Sequence, residues 1–249
     1  MGSVAYVQGA SRGLGLALAR ALVDRSDIDV VYAAARAPED SSGLTELRQR
    51  AGARLRPVTA DVQSESSIAW AAEKVASEQR ALDYLFYVAG VLHEGTMKPE
   101  KRFEQVHQSN LEHAFAVNAT GPILTARYLV ELLAHDRRAV LANISAHAGS
   151  IGDNRLGGWY SYRASKAAQN MLTRTLAIEL RRRAPNAICV GLDPGTMDTE
   201  LSRGYRRNVS AGDMASPDEA AARLLALLDS LTREHSGAFL RYDGQELPW

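Results

Sequence analysis

Cysteine is almost missing: Cys189 stands alone in 249 residues. That excludes an intramolecular disulfide framework and any metal site built on clustered thiolates. An excess charge of either sign is missing too, since 29 Lys and Arg balance 29 Asp and Glu. A neutral chain carries no electrostatic footprint for a nucleic-acid backbone or an anionic membrane. No apolar run reaches the length that spans a bilayer. The start, Met1-Gly2-Ser3-Val4, lacks the basic and apolar regions of a secretory signal. The 6 histidines show no metal-ligand spacing: H-E-x-x-H is absent, and His107 and His113 point to different faces of a helix. No metal, nucleic-acid or membrane partner is expected. With 46% hydrophobic and 23% charged residues, the chain can bury a sizeable core. No repeat, low-complexity tract or Pro/Ser-rich linker divides it. The expectation is a soluble, cytoplasmic protein in which residues 1–249 form a single domain.

What is present is an alternation of strand-like and helix-like segments. Strands are expected at Val4–Gln8, Ile28–Ala34, Ala53–Thr59, Leu82–Val88, Ala139–Ser145, Ala187–Leu192 and Gly237–Tyr242. Several are apolar on consecutive residues, as in Val30-Val31-Tyr32-Ala33, which suits strands buried on both faces of a parallel sheet. Helical period runs through Gly13–Arg25, with Leu14, Leu18 and Leu22 on one stripe, and through Ser64–Arg80, opened by a serine-rich start. A long helix is expected at Phe103–Ala134, kinked or divided at Gly121-Pro122, and another at Tyr162–Arg183, carrying Met171, Leu172, Leu176 and Leu180. The basic run Arg181-Arg182-Arg183 suits the end of that last helix. Such alternation predicts an α/β doubly wound sheet of about seven strands flanked by helices. The stretch Asp193–Pro217 lacks periodicity and reads as a functional loop, a substrate lid.

The first strand runs into Gly9-Ala10-Ser11-Arg12-Gly13-Leu14-Gly15 and then into a helix. Glycines there permit a sharp turn and let a phosphate approach the N–H groups of a helix start. The spacing is G-x-x-x-G-x-G, not the G-x-G-x-x-G of the standard dinucleotide turn. Ala35, 20 residues past Gly15, stands where an acidic group would accept from a ribose 2′-hydroxyl. Arg36 follows it at once, and Arg12 lies in the glycine turn. Two guanidinium groups there suit a 2′-phosphate, so NADP(H) is expected over NAD(H).

Further along, Tyr162-Arg163-Ala164-Ser165-Lys166 places a phenol and an amine one helical turn apart. A free tyrosine titrates near 10 and shuttles protons poorly at neutral pH. A neighbouring ammonium, with an oxidised nicotinamide, is expected to favour the phenolate and lower that value. Ser145 ends a strand 17 residues before Tyr162, at the edge where open α/β sheets bind ligands. Its hydroxyl can steady a developing alkoxide. Asn118, inside the long helix, carries an amide that needs a buried water or backbone partner.

Taken in order, these residues resemble the short-chain dehydrogenase/reductase family across nearly the whole chain. The matches are the glycine turn, Asp61-Val62, Ala89-Gly90, Asn118, Ser145, Tyr162, Lys166 and Pro194-Gly195. The stretch Gly149–Asn154 and the terminus Asp243–Trp249 look like its C-factor-like and carbonyl-reductase branch. The resemblance implies a Rossmann-type fold and an oxidoreductase acting on a small-molecule carbonyl or alcohol, working as a homodimer or homotetramer. It implies Tyr162 as general acid/base, Ser145 as carbonyl stabiliser, Lys166 on the nicotinamide ribose, and Asn118 holding a proton-relay water. It also implies that Asp61 and Val62 border the adenine, and that Pro194, Gly195 and Thr196 border the nicotinamide end. The glycine-turn residues Gly9, Ser11, Arg12, Gly13, Leu14 and Gly15, with Arg36, Ala89 and Gly90, complete the implied cofactor site.

Two departures stand out. The family usually has Thr where this chain has Gln8, and Asn-Asn-Ala-Gly where it has Tyr87-Val88-Ala89-Gly90. The Asn missing at Val88 normally helps hold the central strands. His147, just past Ser145, is a candidate to face the pocket. Two rival readings remain at this level. One is a cofactor-binding signalling protein with little turnover. The other is a hydrolase, because Gly9-Ala10-Ser11-Arg12-Gly13 also fits G-x-S-x-G with Ser11 as nucleophile and His235 as the only late histidine.

Overall fold

The computed structural model describes residues 2–201 and 214–249. Of the lid expected at 193–217, residues 202–213 lie outside those described. Among the described residues seven strands form one sheet: β1 (Ser3–Gln8), β2 (Ile28–Ala35), β3 (Leu55–Thr59), β4 (Tyr84–Tyr87), β5 (Ala139–Ile144), β6 (Ala187–Asp193) and β7 (Phe239–Arg241). Their order is β3-β2-β1-β4-β5-β6-β7, and every neighbouring pair is parallel. Parallel neighbours require crossovers, which helices supply. These are α1 (Gly13–Asp24), α2 (Ser42–Ala51), α3 (Glu65–Glu78), α4 (Gln108–Phe115), α5 (Gly121–Leu129), α6 (Tyr160–Arg183) and α7 (Pro217–Ser230). The doubly wound parallel sheet read from the sequence is the observed architecture.

Burial on both faces explains the consecutive apolar residues of the strands. Ala5 and Val7 join Leu14, Leu18, Leu22, Leu224 and Leu228 on one side. Val4 and Tyr6 join Val75, Leu129, Leu141 and Leu180 on the other. Each fully buried leucine contributes roughly 1.5–3 kcal/mol of transfer free energy. The strand order reverses between β1 and β4, which opens a crevice at the carboxyl edge of the sheet.

Two readings of the helical segments need refinement. First, the segment Phe103–Ala134 is divided rather than kinked, with α5 starting at Gly121. It comprises a 3-10 turn (Phe103–Gln105), α4, a π-helical turn (Ala116–Thr120), α5 and a second 3-10 turn (Val130–Leu133). The irregularity falls ahead of Pro122, because the missing N–H disturbs the carbonyls four and five residues earlier. Second, α2 has no counterpart in the sequence reading, since it buries only Leu44 and Leu47 and shows little apolar period. At the start of α7, Ser216 and Glu219 form a capping box, with Pro217 in the first turn.

Candidate active site

The crevice floor begins at the glycine turn. Gly9 has φ of +92°, and a Cβ there would lie 2.6 Å from the Ala89 nitrogen, so β1 can pass this close to β4 only with glycine. At Gly15 a Cβ would lie 2.0 Å from the Gly9 carbonyl oxygen. Ser41 ties the turn down from the side, its Oγ donating to the Ser11 carbonyl at 2.6 Å and capping α2. Where α2, α3 and α7 each receive a serine cap, α1 starts from an extended Arg12 with no side-chain cap and no acid in its first turn. No side chain among the described residues caps its first N–H groups, and the positive end of the helix favours an anion there. A diphosphate fits this cradle.

Gln8 and Val88, the two departures, are absorbed locally. The Gln8 carbonyl accepts from both Val88 N–H (2.9 Å) and Ala89 N–H (3.1 Å). Its side chain donates to the Ala60 carbonyl at 3.2 Å and accepts from Tyr6 Oη at 2.8 Å. The carboxyl ends of β1, β3 and β4 are thereby joined without the usual asparagine.

Asn118, Ser145, Tyr162 and Lys166 gather at this edge, all buried. Asn118, on the π turn, accepts from Val91 N–H (2.8 Å) and donates to the Val91 carbonyl (2.9 Å) and to Ser165 Oγ (3.0 Å). Ser165 Oγ in turn donates to the Tyr162 carbonyl at 2.8 Å. Both amide N–H groups of Asn118 are thus committed to protein acceptors, and no donor remains on the side chain for a water. Ser145 Oγ donates to Asn170 Oδ1 at 2.6 Å. Lys166 Nζ donates to the Ile144 carbonyl (2.8 Å) and Gln169 Oε1 (2.9 Å), and lies 5.9 Å from the centre of the Tyr162 ring.

Of the stripe expected on the helix that carries Tyr162 and Lys166, Leu180 is buried and Leu176 packs against the core, whereas Met171 faces solvent. The inward face of its first half is polar: Ser161, Ser165, Lys166, Gln169, Asn170 and Thr173. Each has at least one hydrogen-bond partner, although Gln169 Nε2 finds none among the described residues. The entry to the helix is equally unusual. Gly157, Gly158 and Trp159 all have positive φ, the last at 51°, and the Trp159 ring stands edge-on to Tyr162 at 6.2 Å. Glu100, buried in the loop after β4, accepts from Ser161 N–H (3.3 Å) and from Ser161 Oγ. Its backbone carbonyl accepts from Trp159 N–H at 2.5 Å. A carboxylate from 61 residues away therefore closes the turn that begins α6.

Burial dominates the electrostatics of the protein groups alone, without the nicotinamide on which the expected lowering of the tyrosine depends. Desolvation pushes the Tyr162 hydroxyl above its ordinary value, and the nearby Asp193 carboxylate adds to this. The same desolvation pushes the Lys166 ammonium down to about 7, with Asp193 opposing. Asp193 is itself raised by burial, against the N–H groups of Gly195 and His147 that favour its charge. In the cofactor-free fold Lys166 is thus neutral above about 7, while an unfolded chain keeps it charged to its ordinary value of 10.5. Between these values the unfolded chain binds the extra proton, so raising the pH stabilises the fold, by up to about 1.4 kcal/mol per pH unit. Urea unfolding of cofactor-free wild type and Lys166→Met between pH 7 and 9 checks this. The wild type should gain stability relative to the variant across that window; parallel curves would refute the neutral lysine.

The remaining residues singled out in the sequence are distributed as follows. Ala89 and Gly90 follow β4, and Pro194, Gly195 and Thr196 follow β6, all at the same edge. Asp61 accepts from Gln63 N–H (3.0 Å) at the end of β3, and Val62 is buried against Tyr87 and Val117. Arg12 and Arg36 are exposed and already paired, with Glu200 (2.7 Å) and Glu94 (3.1 Å). His147 turns its ring to Asp153. Ser11 leaves β1 at the carboxyl edge, whereas His235 precedes β7 and so lies at the amino edge. That separation removes the hydrolase reading. Asn170, Gln169, Asp193 and Glu100 were not anticipated. Polar residues recurring at helical spacing from Ser161 to Thr173 were the available signal for the first two. Among the described residues no helix is long and apolar enough to cross a membrane, and no cluster of metal-ligating side chains occurs.

Known proteins share this arrangement. The chain is 31% identical over 250 residues to 1-hydroxy-2-glutathionyl-2-methyl-3-butene dehydrogenase of Rhodococcus sp., covering 99% of this chain and 100% of that one. It is 31% identical over 144 residues to C-signal of Myxococcus xanthus, covering 58% and 81% respectively. The structure of NADPH-bound carbonyl reductase from chicken fatty liver superposes with a TM-score of 0.88 at 28% identity, over 100% of this chain and 94% of that one. The family model for short chain dehydrogenases matches residues 3–210, a span that takes in the glycine turn, Tyr162 and Lys166. With sheet order, turn and helix pairing all in agreement, this chain belongs to the short chain dehydrogenase family.

Proposed function

We propose that the protein is an NADP(H)-dependent oxidoreductase that moves hydride between nicotinamide and a carbonyl or secondary alcohol. The observation that carries this reading is the gathering of Tyr162, Lys166, Ser145 and Asn118 beside an uncapped glycine turn. The glycine turn from Gly9 to Gly15 holds the diphosphate on the N–H groups of α1. Asp61 and Val62 border the adenine, Ala89 and Gly90 line the crevice floor, and Pro194, Gly195 and Thr196 border the nicotinamide. When bound, the nicotinamide supplies or accepts the hydride.

The chain's own residues manage the proton and the charge. Ser145 Oγ releases Asn170 and donates to the substrate oxygen. Tyr162, protonated at neutral pH because it is buried, gives its proton to the same oxygen as charge develops there. An alkoxide is far more basic than a buried phenol, so this transfer runs downhill, and the site favours reduction of a carbonyl. Lys166 turns an N–H from Ile144 or Gln169 to the nicotinamide ribose. Asn118, with both side-chain N–H groups committed, offers a relay water its main-chain carbonyl.

Arg12 and Arg36 exchange Glu200 and Glu94 for the 2′-phosphate. Exposed ion pairs are weak, worth about 0–1 kcal/mol, so the exchange is easy. Fluorescence titration with NADPH and NADH tests the assignment. NADPH should bind more tightly, and Arg36→Ala should weaken NADPH about tenfold while leaving NADH unchanged. Tighter NADH binding would overturn the cofactor choice, and no binding of either would overturn the oxidoreductase reading. The similarity to C-signal favours one second reading, a cofactor-binding signalling protein with little turnover. A wild type that binds NADPH yet reduces carbonyls no faster than Tyr162→Phe would support it.

A further inference from the structure

The π turn that presents Asn118 contains a carbonyl its own helix cannot satisfy. The turn closes with Gly121 N–H donating to the Ala116 carbonyl, five residues back. In that register the next acceptor, the Val117 carbonyl, would take its bond from residue 122. Residue 122 is proline and has no N–H. A buried carbonyl left unpaired is costly, and here the partner comes from the sheet. Tyr87 Oη, on the last residue of β4, donates to the Val117 carbonyl at 2.6 Å. Gly121 makes the reach possible, since a Cβ there would stand 2.2 Å from that hydroxyl.

Tyr87, Gly121 and Pro122 therefore form a matched set around one carbonyl, adjacent to the residue that clamps both the N–H and the carbonyl of Val91. We propose that Tyr87 is a positioning residue for Asn118: its hydroxyl replaces the donor that Pro122 withholds and fixes the turn from which Asn118 reaches Val91 and Ser165. Tyr87 stands where the family usually has asparagine, so the device belongs to this chain's own sequence. Through Ser165 the same bonds extend to the Tyr162 carbonyl. The catalytic part of the inference rests on the reading of Tyr162 as proton donor; the structural part does not.

Tyr87→Phe keeps the ring and removes only the hydroxyl. Hydrogen exchange at the Val91 amide, which Asn118 Oδ1 holds, should speed up about tenfold. Turnover of NADPH with 4-nitrobenzaldehyde should lose about tenfold in kcat, while the Kd for NADPH changes less than about twofold. Adding Pro122→Ala returns an N–H to residue 122, in register for the Val117 carbonyl, and should restore slow Val91 exchange and most of kcat. A tyrosine that merely fills space would give no such rescue. Unchanged Val91 exchange in Tyr87→Phe, or a double variant no better than the single, overturns the proposal. Should the single variant fail to fold, the double variant decides alone: folded with slow exchange supports the proposal, unfolded overturns it. If wild type reduces no carbonyl, the oxidoreductase reading fails by itself, and Val91 exchange still decides the role of Tyr87.

Discussion

Tyr162→Phe is expected to lower kcat for NADPH-dependent carbonyl reduction by about a thousandfold, within the range general acid catalysis supplies. The substitution removes one oxygen from a ring that is otherwise enclosed by Trp159 and the buried polar face of α6. No packing is lost, and NADPH affinity should stay within about threefold of wild type, as expected when only a transition-state interaction is removed. Burial keeps the Tyr162 proton in place through the neutral range. The reduction rate should therefore show no loss from deprotonation of this group up to its ordinary value near 10. Oxidation of an alcohol needs the phenolate and should be the slower direction at pH 7. Steady-state rates in both directions, with cofactor affinity measured separately, make the check. A loss below about tenfold would mean that another group delivers the proton.

The second large effect is expected at Gly15→Ala. Its Cβ would sit 2.0 Å from the Gly9 carbonyl oxygen and 2.7 Å from the Gly9 carbonyl carbon, both backbone atoms of the turn itself. No rotamer relieves such a clash, so either α1 moves off β1 or the turn opens. Both displace the N–H groups assigned to the diphosphate. We expect NADPH binding to weaken at least about a hundredfold and stability to fall by roughly 1–3 kcal/mol, the scale of overpacking a dense site. Gly52→Ala is the contrasting variant. Gly52 has φ of +56° but nothing within 4 Å of a Cβ. It should cost about 1–2 kcal/mol of backbone strain and leave cofactor binding intact. Equal cofactor affinities for the two variants would remove Gly15 from the site.

Much of this was legible in the residues, for reasons that also mark where legibility stopped. Strands buried on both faces announce themselves by consecutive apolar residues, and the seven expected runs coincide with β1 to β7 to within a few residues. Helix α2 was invisible because two buried leucines make no pattern. For α6 the pattern held only in the distal half, where Leu176 and Leu180 meet the core; Met171 points outward, and the inward face of the first half is polar. Tyr162 and Lys166 could be read from their local spacing and Ser145 from its strand end, whereas Asn118 was readable only through the family resemblance. Glu100 could not, since its partner is distant in the chain and nothing around it differs from a surface glutamate. Tyr87 was seen only as a departure, because its partner carbonyl becomes orphaned through a π turn that residue types alone did not reveal.

The closure of the first turn of α6 by Glu100 bears on the order in which the molecule assembles. A left-handed Trp159 makes a poor nucleus for a right-handed helix, and this turn lacks the local serine cap that starts α2, α3 and α7. It gains its closing bonds only once chain segments 61 residues apart have met, an encounter delayed by loop-closure entropy. The sheet needs longer encounters still, Ala5 beside Tyr84 for instance, but its strands bury apolar side chains on both faces once they meet, and the distal half of α6 holds Ala177 and Leu180 in the core. The turn leading into Tyr162 rests instead on polar bonds to the loop that carries Glu100, so it is among the first pieces to open. Opening it would disarm the catalytic tyrosine while the rest of the molecule stays folded.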